Sequence, residues 1–206
     1  VVRTGRRAHI LDDLLRSSGL RPAPPPVRPS GTEVAEELDD LYRVLGGLQA
    51  APVFRPGSWD LSYDGLVVEL DEELHFNRYR ARTLEASWTL RLPWHGNFLT
   101  HCAAHEAECF AAGQWGRRWT NDSAAKMFSG GPPGELSGDG APRWKQRALY
   151  DAIKDTLPLL DNPVALARVA THDDVGNTTL GAVLDGFAAG DSAAVRALVD
   201  ARTARA

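Results

Sequence analysis

At 206 residues, 43% hydrophobic and 24% charged, the chain has enough apolar material for one domain with a substantial core, and two full domains would be cramped. A formal net charge of −4 supplies no global field toward nucleic acid, so any such binding must come from local clusters. Two cysteines are too few for a secreted disulfide framework, and no run approaches the roughly 18 unbroken apolar residues of a membrane span, so no membrane partner is expected.

The N-terminal stretch VVRTGRRAHILDDLL is too charged, and its apolar run too short, for a signal peptide, which makes cytoplasmic residence the expectation. Ile10, Leu11, Leu14 and Leu15 lie at helical spacing before Gly19, predicting a short amphipathic helix over 6–18. The proline-rich RPAPPPVRPSG that follows reads as an extended connector, so 1–29 forms an arm and linker. Ser30 and Glu33 have capping-box spacing, and Val34, Leu38, Leu41 and Leu45 form an apolar stripe ending at Gly46-Gly47. The acidic residues on the other faces of that helix read as solvated.

Two alternating runs then flank Asp64-Gly65, a strong signal for a tight hairpin whose central positions favour positive φ. A two-residue turn pairs Tyr63 with Leu66, Ser62 with Val67, Leu61 with Val68 and Asp60 with Glu69. Trp59, Leu61, Tyr63, Leu66, Val68 and Leu70 share one face, and Asp60, Val67, Glu69 and Asp71 the other. Like charges placed opposite each other destabilise a sheet unless something offsets them. Either a hard divalent cation with Asp60, Glu69 and Asp71 as oxygen ligands does so, or the acidic face is exposed and takes Arg78, Arg80 or Arg82 as ion-pair partners.

Farther on, 72–85 reads as a helix, Ser87 to Leu92 as a third strand, and the stretch after Asn97 as a helix capped by that residue. Residues 129–142 form a long Gly/Pro-rich loop, closing a core of 30–128. The C-terminal part, 143–206, reads as helices over 143–157, 164–170, 178–188 and 191–201, the last capped by Asp191 or Ser192, and their Ala- and Leu-rich faces suit a homo-oligomer. The fold class expected is α/β, a single domain with a small mixed β-sheet, a central hairpin flanked by helices, and helical N- and C-terminal additions. Cys102, His105 and Cys109 share a helix face; a zinc site would need a fourth ligand from elsewhere, and buried cysteines beside a core histidine fit better. No phosphate-binding loop, nucleophile elbow, dinucleotide fingerprint or zinc-protease helix is present.

The segment VVELDEELHF resembles the V-E-x-D-G-x-x-H-F motif of the very-short-patch-repair-like branch of the PD-(D/E)XK nuclease superfamily, with PGSWD ahead of it where that superfamily places its first aspartate. The likeness covers roughly residues 53–92 and includes an R-x-x-x-L element at Arg80 and Leu84. It implies a restriction-endonuclease-like core, with Asp60 and Glu69 as ligands to Mg²⁺ or Mn²⁺, and Asp71 and His75 on the branch's later aspartate and histidine. Asp71 occupies the position of the superfamily's terminal lysine, and Glu72 that of the branch's glycine. His75 serves as a general base or caps the helix start.

Gln146 and Tyr150 resemble the Q-x-x-x-Y helix motif of RecB-like members of the same superfamily. Arg143, Lys145 and Arg147, with Trp144 among them, form either a phosphate-contacting patch or a solvated basic face, and Lys145 is the candidate for the missing lysine. The resulting expectation is a metal-dependent phosphodiesterase hydrolysing nucleic acid, DNA in the first instance, with Arg78, Arg82, Arg143, Lys145, Gln146 and Arg147 as contacts. The alternative is a catalytically inactive nuclease-fold module that binds nucleic acid or a protein partner.

Overall fold

The computed structural model describes residues 5–27, 35–160 and 164–205. In chain order the principal elements are α1 (Arg6–Ser17), α2 (Ala35–Val44), β1 (Leu61–Tyr63), β2 (Leu66–Asp71), α3 (Arg78–Thr83) and α4 (His95–Gly113). They continue as α5 (Asp122–Met127), α6 (Pro142–Asp155), β3 (Ala165–Ala170), β4 (Asp174–Val175), β5 (Thr178–Thr179), α7 (Leu180–Asp185), α8 (Ser192–Ala201) and β6 (Thr203–Ala204). The class is mixed α/β, and the chain forms two compact units: Val1–Val27, Ser58–Glu72 and Leu157–Ala206 make one, Arg28–Gly57 and Glu73–Thr156 the other.

The first unit is built on a mixed sheet in the order β1-β2-β3-β6. β1 and β2 are antiparallel with Leu61 opposite Val68, Ser62 opposite Val67 and Tyr63 opposite Leu66, the register that the Asp64-Gly65 turn requires. Only Gly65, at φ +70°, is left-handed there, so glycine is needed at the second central position alone and Asp64 keeps an ordinary backbone. Tyr63, Leu66, Val68 and Leu70 join Ala167 and Val169 on one face, against Leu11 and Leu15 of α1, Leu180 and Leu184 of α7, and Val195 and Val199 of α8. Gly19 ends the first helix region at φ +97°, and the Asp191 side chain caps α8 by accepting from the Ala193 backbone N–H, both as the sequence indicates.

Residues 164–170 correct a sequence expectation. Their Ala-rich composition favours helix, but Ala165–Ala170 pairs in parallel with β2 along its whole length, and tertiary pairing overrides propensity. The expected helix over 178–188 begins later, because Thr178–Thr179 pairs with β4 and the Thr179 side chain then caps α7.

In the second unit, Leu38, Leu41, Tyr42 and Leu45 of the α2 region pack with Met127, Phe128, Leu149 and Ile153. Ser30, Glu33 and Val34 lie outside the described residues. The helix expected over 72–85 is divided into a 3₁₀ turn at Glu73–His75 and α3, because the Asn77 side chain accepts from the backbone N–H groups of Tyr79 and Arg80 and starts a new helix. Ser87 to Leu92, expected as a strand, instead forms a 3₁₀ turn over Ser87–Arg91, and α4 starts at His95, two residues before Asn97. A second cluster joins Cys109, Trp119, Ala141 and Trp144, with the Trp119 and Trp144 rings edge to face at 5.7 Å. No helix among the described residues is long and apolar enough to cross a membrane.

Two measurements probe this architecture. A Cβ on Gly65 would meet nothing within 4 Å, so Gly65→Val carries only left-handed backbone strain, expected to cost about 1–2 kcal/mol in urea unfolding. Arg7 grips Asp185 through two hydrogen bonds, 2.8 and 2.7 Å, and holds its carboxyl below the ordinary value of 3.8. Because the folded value is depressed, this contribution is complete above that ordinary value and disappears as pH falls through the folded one. Arg7→Met should therefore lower stability at neutral pH and flatten its loss below pH 3.8, which a melting series across pH reads directly.

Candidate functional site

Extending the hairpin register by one step sets Asp60 opposite Glu69, and side chains fasten the two ends of the strands together. The Leu70 backbone N–H donates to Asp60 Oδ2 at 3.0 Å, and the Asp60 backbone N–H donates to Glu69 Oε1 at 3.1 Å. Each residue thus orients the other's strand, and the two carboxylates are held at the open end of the hairpin. Asp60 is exposed, whereas Glu69 is 3% exposed.

Asp71, expected with them as an ion ligand, is 1% exposed and receives Arg168 Nη1 on both oxygens, at 2.8 and 2.7 Å. Arg168 is fully buried and stands on β3 directly opposite Glu69 of β2. The acidic face is therefore not the exposed one that pairing with Arg78, Arg80 or Arg82 presupposed. Those three are engaged by Glu106, Asp155 and Glu85. Sequence reasoning missed Arg168 because its run reads as helix; a charge inside a short apolar run ending at Thr171-His172-Asp173 was the available signal. Arg168 thus pairs with Asp71, while Asp60 and Glu69 are tied to each other's strands through backbone N–H groups.

The other expected residues lie in the second unit. His75 Nδ1 is 2.8 Å from Asp151 Oδ2, so a buried carboxylate orients the imidazole, as a general base requires. α6 is more deeply buried than its charge pattern suggests: Trp144, Lys145, Gln146, Asp151, Lys154 and Asp155 are all inside. Buried charges need partners, and Asp155 has one in Arg80 Nη2 at 2.7 Å. Lys145 is 7% exposed, its Nζ 5.7 and 5.9 Å from the ring centres of Tyr79 and Phe128, and burial pushes its pKa down. Lys145 and Trp144 thus do not join Arg143 and Arg147 in one exposed patch.

Of the expected nucleic-acid contacts, Arg78 is held by Glu106 through Nε and Nη2 at 2.7 and 2.8 Å, Arg82 pairs with Glu85, and Arg147 Nη1 donates to the Leu74 carbonyl at 2.9 Å. Arg143 Nη1 donates to Gln146 Oε1 at 2.7 Å, and Gln146 Nε2 donates to Ser123 Oγ at 2.9 Å. Arg143, Gln146 and Tyr150 line one cleft of about 790 Å³ with Arg55 and Lys126, two cations that the sequence did not single out. Cys102 and Cys109 are buried, and burial raises the Cys109 thiol to about 12.

Arg168 supplies a direct check on the buried face. Arg168→Met leaves the Asp71 carboxylate buried without its guanidinium and should cost about 3–5 kcal/mol, most of which Asp71→Leu in the same chain should restore. Chemical denaturation of the single and double variants measures both.

Residues 40–186 match the model of a family of unknown function, DUF7255, and the chain belongs to that family. No curated protein and no solved structure gives a significant match.

Proposed function

We propose that this protein is a metal-dependent phosphodiesterase acting on nucleic acid, with DNA as the first substrate to test, and that Asp60 and Glu69 hold Mg²⁺ or Mn²⁺. The observation that carries the proposal is the reciprocal fastening of these two carboxylates at the open end of the hairpin, one of them buried. Rigid, adjacent carboxylate oxygens are the donor set that hard divalent ions take. Such an ion polarises a phosphoryl oxygen and lowers the pKa of a bound water. Of the chain's own groups, Asp60 and Glu69 bind and orient. Arg168 holds Asp71 in place beside Glu69 on the buried strand. The resemblance of 67–76 to a nuclease motif supports the same chemistry.

A second reading has its own observation. Asp71 stands where the resembled motif ends in lysine, and it is engaged by Arg168. A chain that retains the acidic hairpin without a lysine on the same strand fits a non-catalytic module that binds nucleic acid or a partner protein.

Thermal melting with Mn²⁺ and cleavage of supercoiled plasmid separate the two. An ion that binds only the folded chain raises stability by about 2.7 kcal/mol at one hundred times its Kd. The phosphodiesterase reading expects that rise, and metal-dependent nicking, in the wild type, with both lost in Asp60→Asn and Glu69→Gln. Stabilisation without nicking selects the non-catalytic module. Nicking that persists equally in both variants would falsify the assignment of these carboxylates.

A further inference from the structure

The cleft of the second unit has a charge arrangement that the hairpin proposal does not use. Arg55, Lys126 and Arg143 reach it from three separate segments: the stretch after α2, the helix α5 and the first turn of α6. None of the three has a carboxylate partner among the described residues. Several other arginines are paired with carboxylates, as Arg7 is with Asp185, Arg78 with Glu106 and Arg196 with Asp200. Among the described residues Asp122 is the one acidic side chain lining the cleft, which leaves them a formal excess of two positive charges.

Arg143 is also held ready. Its guanidinium is fixed by the amide oxygen of Gln146, a residue 1% exposed, and the Gln146 amide nitrogen is anchored on Ser123. A neutral amide orients the guanidinium without cancelling its charge, so the cation is preorganised for an anion from outside. Beside polar groups such as Gln49 and Asn121, the lining includes an apolar and aromatic part: Val53, 69% exposed, together with Met127 and Tyr150. A volume near 790 Å³ falls within the range of small-molecule sites and exceeds what one phosphate ion fills.

We infer that this cleft is a nucleotide-binding site, in which Arg55, Lys126 and Arg143 take the phosphate and the Val53–Met127–Tyr150 wall takes the sugar and base. The nucleotide is either free or the end of a strand. All the residues involved belong to the second unit and none is a metal ligand, so the inference stands apart from the hairpin carboxylates.

Calorimetry on the full chain in EDTA and about 50 mM salt tests it, with deoxyadenosine monophosphate, a 5′-phosphorylated tetranucleotide, its unphosphorylated counterpart and inorganic phosphate as probes. EDTA removes any contribution from the hairpin, so failure here and failure there are distinguishable. Saturable binding of the mononucleotide or of the phosphorylated strand is expected, weakened at least tenfold by Arg143→Gln and by Lys126→Gln. Arg196→Gln, which removes a cation from the other unit, should leave it unchanged. Equal affinity for mononucleotide and phosphorylated strand identifies a free nucleotide, and stronger binding of the strand identifies a nucleic-acid end. The inference is overturned by no heat at about 1 mM of any probe, by inorganic phosphate binding as well as the nucleotide, or by undiminished affinity when Arg55, Lys126 and Arg143 are all changed to Gln in a chain that melts as the wild type does.

Discussion

Two carboxylates cannot be carried into the interior on one strand without a compensating charge, and the first unit is arranged around that constraint. Glu69 and Asp71 are two residues apart on β2, both nearly inaccessible to water. Parallel pairing with β3 brings Arg168 opposite Glu69 and lets its guanidinium close on both oxygens of Asp71. The pairing therefore does electrostatic work as well as hydrogen-bonding work. If β3 slipped by one residue, Arg168 would turn to the opposite, apolar face, among Leu66, Val68 and Leu70, and the carboxylates would lose their partner. Register, burial and charge are thus mutually dependent, and the exposed Asp60 and buried Glu69 stand together at the hairpin's end.

The second unit meets a related constraint with a helix. α6 carries Lys145, Gln146, Asp151, Lys154 and Asp155 inside, where a polar group is tolerated only with a partner. Arg80 reaches Asp155, His75 reaches Asp151, and Gln146 bridges Ser123 to Arg143. The same bonds that make the helix tolerable also aim two chemically capable groups, an imidazole backed by a carboxylate and a guanidinium without an acidic partner among the described residues. Close approach of the preceding loop reinforces this packing: a Cβ on Gly140 would collide with the Tyr79 hydroxyl, and that hydroxyl accepts from the Ala141 backbone N–H.

What the sequence made legible was local. Asp64-Gly65 and strict alternation around it are enough to place Tyr63 against Leu66, and from there Asp60 against Glu69. The stripe of Leu38, Leu41 and Leu45 and the cap at Asp191 are equally local signals. Arg168 was illegible because its strand is composed largely of good helix formers and becomes a strand only by pairing with residues about a hundred positions earlier. The charges of α6 looked like a solvated face for a similar reason, since helical spacing says which residues share a side but not what covers it. The cleft was invisible because Arg55, Lys126 and Arg143 lie in segments whose meeting no periodicity encodes. Motif resemblance reached the hairpin carboxylates and went no further than the segment it covers.

The central claim is that Asp60 and Glu69 share an ion. Crystals soaked in Mn²⁺ and measured at the manganese edge test it without reference to substrate or activity. The account predicts an anomalous peak about 2.2 Å from a carboxylate oxygen of each residue. Anomalous density that avoids the hairpin, or none there at an Mn²⁺ concentration that saturates thermal stabilisation, would contradict it.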